Sequence, residues 1–99
     1  MDPIRFEWDL AKAAANLRKH GVSFAEAETA FYDEFAKILP DPDHSSGEED
    51  RFLLLGLSSA LRVVIVVHVL RERDSVIRLI SARRATRRER AYYAGREMP

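Results

Sequence analysis

The 99-residue chain has no cysteine, which excludes a disulfide framework, a Cys-ligated zinc site and a thiol nucleophile. Glycine and proline are sparse, at four each, so neither a Gly-rich phosphate loop nor a Pro-rich linker is present, and no stretch repeats. Long apolar runs are missing as well. The longest, Val63 to Val67, falls far short of the roughly 20 residues a membrane helix requires. The opening Met1-Asp2-Pro3-Ile4-Arg5 lacks the apolar stretch of a secretory signal. With 46% apolar and 32% charged residues, the chain is too apolar for disorder. The expectation is one compact cytoplasmic domain over residues 1–99, without membrane contact.

Lysine is absent from the second half. Residues 51–99 hold 11 Arg against 4 Asp and Glu, a net +7, whereas residues 1–50 hold 5 Lys and Arg against 12 acids, a net −7. Arginine is the preferred side chain for planar, bidentate phosphate recognition. Such asymmetry points either to nucleic-acid contact or to two halves that neutralise each other in the fold.

Ile4-Arg5-Phe6-Glu7-Trp8 alternates with period two and predicts a first strand. Asp9 is a candidate N-cap for a helix whose apolar positions are Leu10, Ala13, Ala14 and Leu17, and which ends in Arg18-Lys19-His20-Gly21. Ser23-Phe24-Ala25-Glu26 has the form of a capping box and starts a second helix. A short strand is predicted over 35–39, followed by a polar loop through His44-Ser45-Ser46-Gly47. Strands then follow at Phe52–Leu57, Arg62–Leu70 and Val76–Ala82, joined by short connections, and Thr86-x-x-Glu89 caps a last helix. The predicted class is α+β, in the order β-α-α-β-β-β-β-α, with a mostly antiparallel sheet and helices packed on one face. Val63, Ile65, Val67 and Val69 are expected to face the core. Arg62, His68 and Arg78 then converge on the open face, provided the register holds.

Cleavage of RNA by its own 2′-hydroxyl needs a base, an acid and cations that stabilise the phosphorane. His68, His44, Glu48 and Glu49 are the candidates for proton transfer, with His68 or Glu49 preferred. Arg62, Arg78 and Arg83 are the candidates for phosphate binding and transition-state charge. The run Ala82-Arg83-Arg84-Ala85-Thr86-Arg87-Arg88-Glu89-Arg90, followed by Tyr92-Tyr93, combines phosphate contacts with stacking surfaces. Arg51, Arg84, Arg87, Arg88 and Tyr92 are the expected RNA contacts. His20 reads as a helix C-terminal charge, and Arg90 and Arg96 as solvated. Neither a His-Glu-x-x-His spacing nor a nucleophile elbow occurs, so no metal and no cofactor are expected. A non-catalytic RNA- or protein-binding module using the same arginine strip is the alternative.

Phe6-Glu7-Trp8-Asp9, Lys12, Asn16 and Lys19-His20-Gly21-Val22-Ser23-Phe24 resemble the opening of the BrnT family of bacterial toxins. The likeness continues at Asp43-His44-Ser45, Glu49, Arg51-Phe52, Gly56 and Ile77-Arg78-Leu79-Ile80-Ser81-Ala82-Arg83-Arg84-Ala85-Thr86, then at Arg88-Glu89 and Tyr92. The resemblance implies a RelE-like fold and a toxin that cleaves RNA and halts translation. It also implies a BrnA-type ribbon-helix-helix antitoxin, through which the complex reaches operator DNA. A homodimer is a further expectation.

Overall fold

The structure is a computed structural model that describes residues 3–41 and 51–96. Its elements are β1 (Arg5–Glu7), α1 (Leu10–His20), α2 (Phe24–Thr29) with a 3-10 turn at Ala30–Tyr32, β2 (Lys37–Pro40), β3 (Arg51–Leu57), β4 (Val63–Arg71), β5 (Val76–Arg84) and α3 (Arg87–Tyr93). The element order is the one the sequence predicts. The Asp9 side chain accepts from the Lys12 N–H, and Gly21 closes α1 at φ 70° while donating to the Leu17 carbonyl. Both halves of the capping box form at Thr86 and Glu89. At Ser23 only one half forms. Its hydroxyl accepts from the Glu26 N–H, but the Glu26 carboxylate is drawn away to Arg62 and Ser58.

The five strands lie in the order β1-β5-β4-β3-β2. Three neighbouring pairs are antiparallel, and β1 joins β5 in parallel. The expected mostly antiparallel sheet is therefore a mixed one. Parallel pairing needs a long crossover, and here residues 8–75, about two thirds of the chain, lie between the two strands.

Helices cover both faces rather than one. On the first face Val22, Phe24, Ala27 and Ala30 pack with Leu54, Val64, Val66, Ile77, Leu79 and Ala82. On the second face Tyr92 and Tyr93 of α3 pack over Leu55, Ile65 and Ala85, beside Leu53 and Val63. The principal core thus includes Val64 and Val66, the positions expected to be open. Ile65 and Val69, expected to be core, are also buried, but on the second face. Because Val63 to Val67 is apolar at every position, alternation carries no information about which side is wetter.

Asn16 fastens α1 to the sheet. Its Nδ2 donates to the carbonyls of Ala82 (2.8 Å) and Val22 (2.9 Å), and its Oδ1 accepts from the Ala82 N–H at 3.0 Å. The register of β1 against β5 runs only from Val76 to Arg78. Beyond it, this one side chain stands in for a neighbouring strand.

Candidate functional site

A β-bulge determines which arginines meet. Val67 lies opposite Ser81 and His68 opposite Leu79, so Ile80 is the extra residue on β5. On either side of it, Arg78 faces Val69 and Arg83 faces Ile65, and both arginines emerge on the second face. Arg51 lies opposite Val69 from β3, and Glu7 lies beside Arg78 from β1. Arg51, Val69, Arg78 and Glu7 therefore form one row across four strands.

Glu7 and Arg78 pair at 3.0 Å, and Arg71 approaches the same carboxylate oxygen, Oε2, at 4.0 Å. All three side chains are partly exposed, Glu7 at 38% and Arg78 at 28%. About 15 Å further along β5, at the usual strand rise, Arg83 donates two hydrogen bonds to Glu89, at 2.8 and 2.9 Å. The Thr86 N–H also binds Glu89. Hydrogen bonds from Arg83 hold the Glu89 carboxyl at about 2, well below the ordinary glutamate value.

Between α3 and the sheet lies an apolar groove of about 510 Å³, walled by Leu39, Leu53, Leu55, Ile65, Tyr92 and the Arg88 side chain. Lys37 donates to the Tyr92 carbonyl at 2.7 Å and sits 4.2 Å from the Tyr92 ring centroid. An anion on this face meets guanidinium groups, and a flat ring has an aromatic wall beside it.

Of the expected site residues, Arg51, Arg78, Arg83, Arg88 and Tyr92 fall on or beside this face, and four others do not. His68 is 2% exposed on the opposite, principal-core face. Its ring packs edge-on against Phe31 at 4.9 Å, and its Nδ1 lies 3.1 Å from the Val66 carbonyl. Burial holds its pKa below the ordinary histidine value. It is sealed from any substrate, so the expected meeting of Arg62, His68 and Arg78 does not occur. Arg62 precedes β4 and binds both carboxylate oxygens of Glu26 and the Gly21 carbonyl. It clamps the α1–α2 hairpin to the sheet. Arg84 lies opposite Val64 and belongs to the first face. Arg87 opens α3 in solvent. Glu49, Glu48 and His44 lie outside the described residues.

Glu7, Arg71 and Lys37 were not among the sequence candidates. In the sequence, Glu7 is simply the polar position of an alternating strand. Only the parallel pairing with β5 gives it an arginine neighbour. Among the described residues no three His, Asp or Glu side chains gather at one point, and no helix is long and apolar enough to cross a membrane.

Together these features define a small α+β domain that presents arginines from adjacent strands on one sheet face, beside a tyrosine-walled groove. Residues 8–89 match the family model described as the ribonuclease toxin BrnT of type II toxin–antitoxin systems, and the chain belongs to that family. Its fold is similar to the crystal structure of the Brucella abortus ribonuclease toxin BrnT, with a TM-score of 0.64 and 26% identity, covering 85% of this chain and 99% of that one. No curated protein matches the sequence.

Proposed function

We propose that the protein is a cytoplasmic, metal-independent RNA endonuclease of RelE-like type that inhibits translation. In this proposal a BrnA-type antitoxin neutralises it and carries the complex to operator DNA. One observation supports this most: Arg51, Arg78 and Arg83, from two separate strands, emerge on the same sheet face. Guanidinium groups spread along one face in this way bind successive phosphates of an RNA strand, and those around Arg78 stabilise the charge of a phosphorane, the work a metal does in other nucleases. Arg88 and Tyr92 at the groove supply a further phosphate contact and a stacking wall. The nucleophile is then the substrate's own 2′-hydroxyl, already beside the scissile phosphate.

The test is a short RNA incubated with purified protein, with and without EDTA, alongside the same RNA carrying a 2′-deoxy residue at the cut. Cleavage that survives EDTA, spares the deoxy substrate and leaves a 2′,3′-cyclic phosphate is expected. Cleavage of the deoxy substrate refutes the nucleophile, and loss with EDTA refutes metal independence. Salt-dependent binding without cleavage makes the domain a binding module. The log–log salt slope for single-stranded RNA should fall by about 0.7 in Arg88→Ala.

A further inference from the structure

We infer that Glu7 is the general base of the cleavage reaction, an inference that rests on the ribonuclease function proposed above. Several of the acid–base groups are already enclosed or engaged. His68 is enclosed in the core. Glu26 has its oxygens engaged by Arg62 and Ser58. Glu89 has both oxygens held by Arg83, and one of them also by the Thr86 N–H. Asp33 accepts from Tyr93 and from the N–H groups of Leu57 and Phe35. These carboxylates are structural, and each of their oxygens already has a donor.

Glu7 differs. Arg78 and Arg71 both approach Oε2, and among the described residues Oε1 has no hydrogen-bond partner. One oxygen is therefore gripped and the other presented, on a side chain 38% exposed. The backbone is fixed on both sides of the pair, because Glu7 and Arg78 are register partners in the parallel β1–β5 ladder. A phosphate held by Arg78 and Arg71 has its adjoining ribose within reach of Oε1. That is the geometry a general base requires.

In the step itself, Glu7 Oε1 takes the proton from the 2′-hydroxyl as O2′ forms its bond to phosphorus. The P–O5′ bond breaks, the departing 5′-oxygen takes a proton from solvent water, and the proton that Glu7 then releases neutralises the hydroxide left behind. The products are a 2′,3′-cyclic phosphate and a 5′-hydroxyl, with no redox change. Arg78 and Arg71 neutralise the extra charge on the phosphorane oxygens while the proton moves.

Glu7→Gln keeps the size of the side chain and an oxygen for Arg78 but removes the basic site. The expected result is a fall in kcat of roughly 10²–10⁴-fold, with unchanged affinity for the uncleavable 2′-deoxy RNA and an unchanged thermal melt. Glu7→Asp, which sets a carboxylate one methylene back, should lose distinctly less. Glu7→Gln within about threefold of wild-type kcat, or equal losses in the Gln and Asp variants, would overturn the assignment while leaving the ribonuclease standing. Failure of the wild type to cleave any RNA overturns both.

Discussion

Replacing Asn16 by alanine tests how β5 is secured. The substitution removes three hydrogen bonds at a side chain only 7% exposed. It leaves the Ala82 N–H and the carbonyls of Ala82 and Val22 without this partner. A buried polar group stripped of its partner costs about 1–3 kcal/mol, and the smaller alanine admits some water. We therefore expect a loss of about 3–5 kcal/mol, against a total stability of about 5–15 kcal/mol for domains of this kind. Urea unfolding should show a lower midpoint at unchanged m. The melting temperature should drop by roughly 4–8 °C per kcal/mol.

Asn16→Asp sharpens the test. Oδ1 can still accept from Ala82, but the donor to two carbonyls becomes a carboxylate oxygen facing them. That arrangement favours the protonated acid, so the folded-state pKa rises above the unfolded value. The deficit against wild type should then be full above the folded pKa. It should shrink as pH falls through that value, because the protonated acid regains a donor. A loss below about 1 kcal/mol in Asn16→Ala, or a deficit in Asn16→Asp that grows on acidification, would refute the idea that Asn16 acts as a surrogate strand.

Three further outcomes follow from single contacts. Glu89 titrates near 2 in the fold because of Arg83, so its stabilisation is present above the ordinary glutamate value and disappears as pH falls from about 4.5 to 2. Stability curves of wild type and Glu89→Gln should converge across that window, and a constant gap argues against the pair. Burial keeps His68 neutral, with its pKa lowered, so the unfolded chain takes up its proton first and stability falls as pH drops below about 6.5. His68→Phe should flatten that slope and retain RNA cleavage, and loss of cleavage in a folded variant would restore a catalytic role for His68. In Gly56→Ala the new Cβ would lie 2.9 Å from the Ala30 carbonyl oxygen and 3.2 Å from the Ala36 Cβ. A destabilisation of about 1–3 kcal/mol in urea unfolding is expected, and a neutral result would mean that the 3-10 turn moves freely.

What could be read from the sequence was local chemistry. Asp9, Gly21, Ser23 and Thr86 mark helix ends through interactions within a few residues, so element order and type followed from them. Strand pairing between β1 and β5 depends on residues some 70 positions apart, and nothing local announces its direction. The faces of β4 failed for a different reason. Two buried sides erase the alternation on which the assignment depended, and the bulge after Val67 alters the spacing of β5 as well. Arg62 looked like a cation in search of a phosphate because Glu26, its partner, lies 36 residues away. Arg78 and Arg83 share one face as site candidates should, but the grouping of Arg78 with Arg51 and Glu7 needs the register of four strands.

The parallel seam between β1 and β5 also bears on the timing of synthesis. Glu7 and Arg78 are 71 residues apart in the chain, and a nascent protein emerges N-terminus first. The first strand leaves the ribosome with no partner and must wait while α1, α2 and three further strands appear. An elongating or prematurely terminated chain that stops short of β5 lacks Arg78 in the middle of the row and has its first strand unpaired. Loop closure over such a distance comes late in folding. The cell that makes this chain is therefore exposed to the assembled face only after β5 has been synthesised.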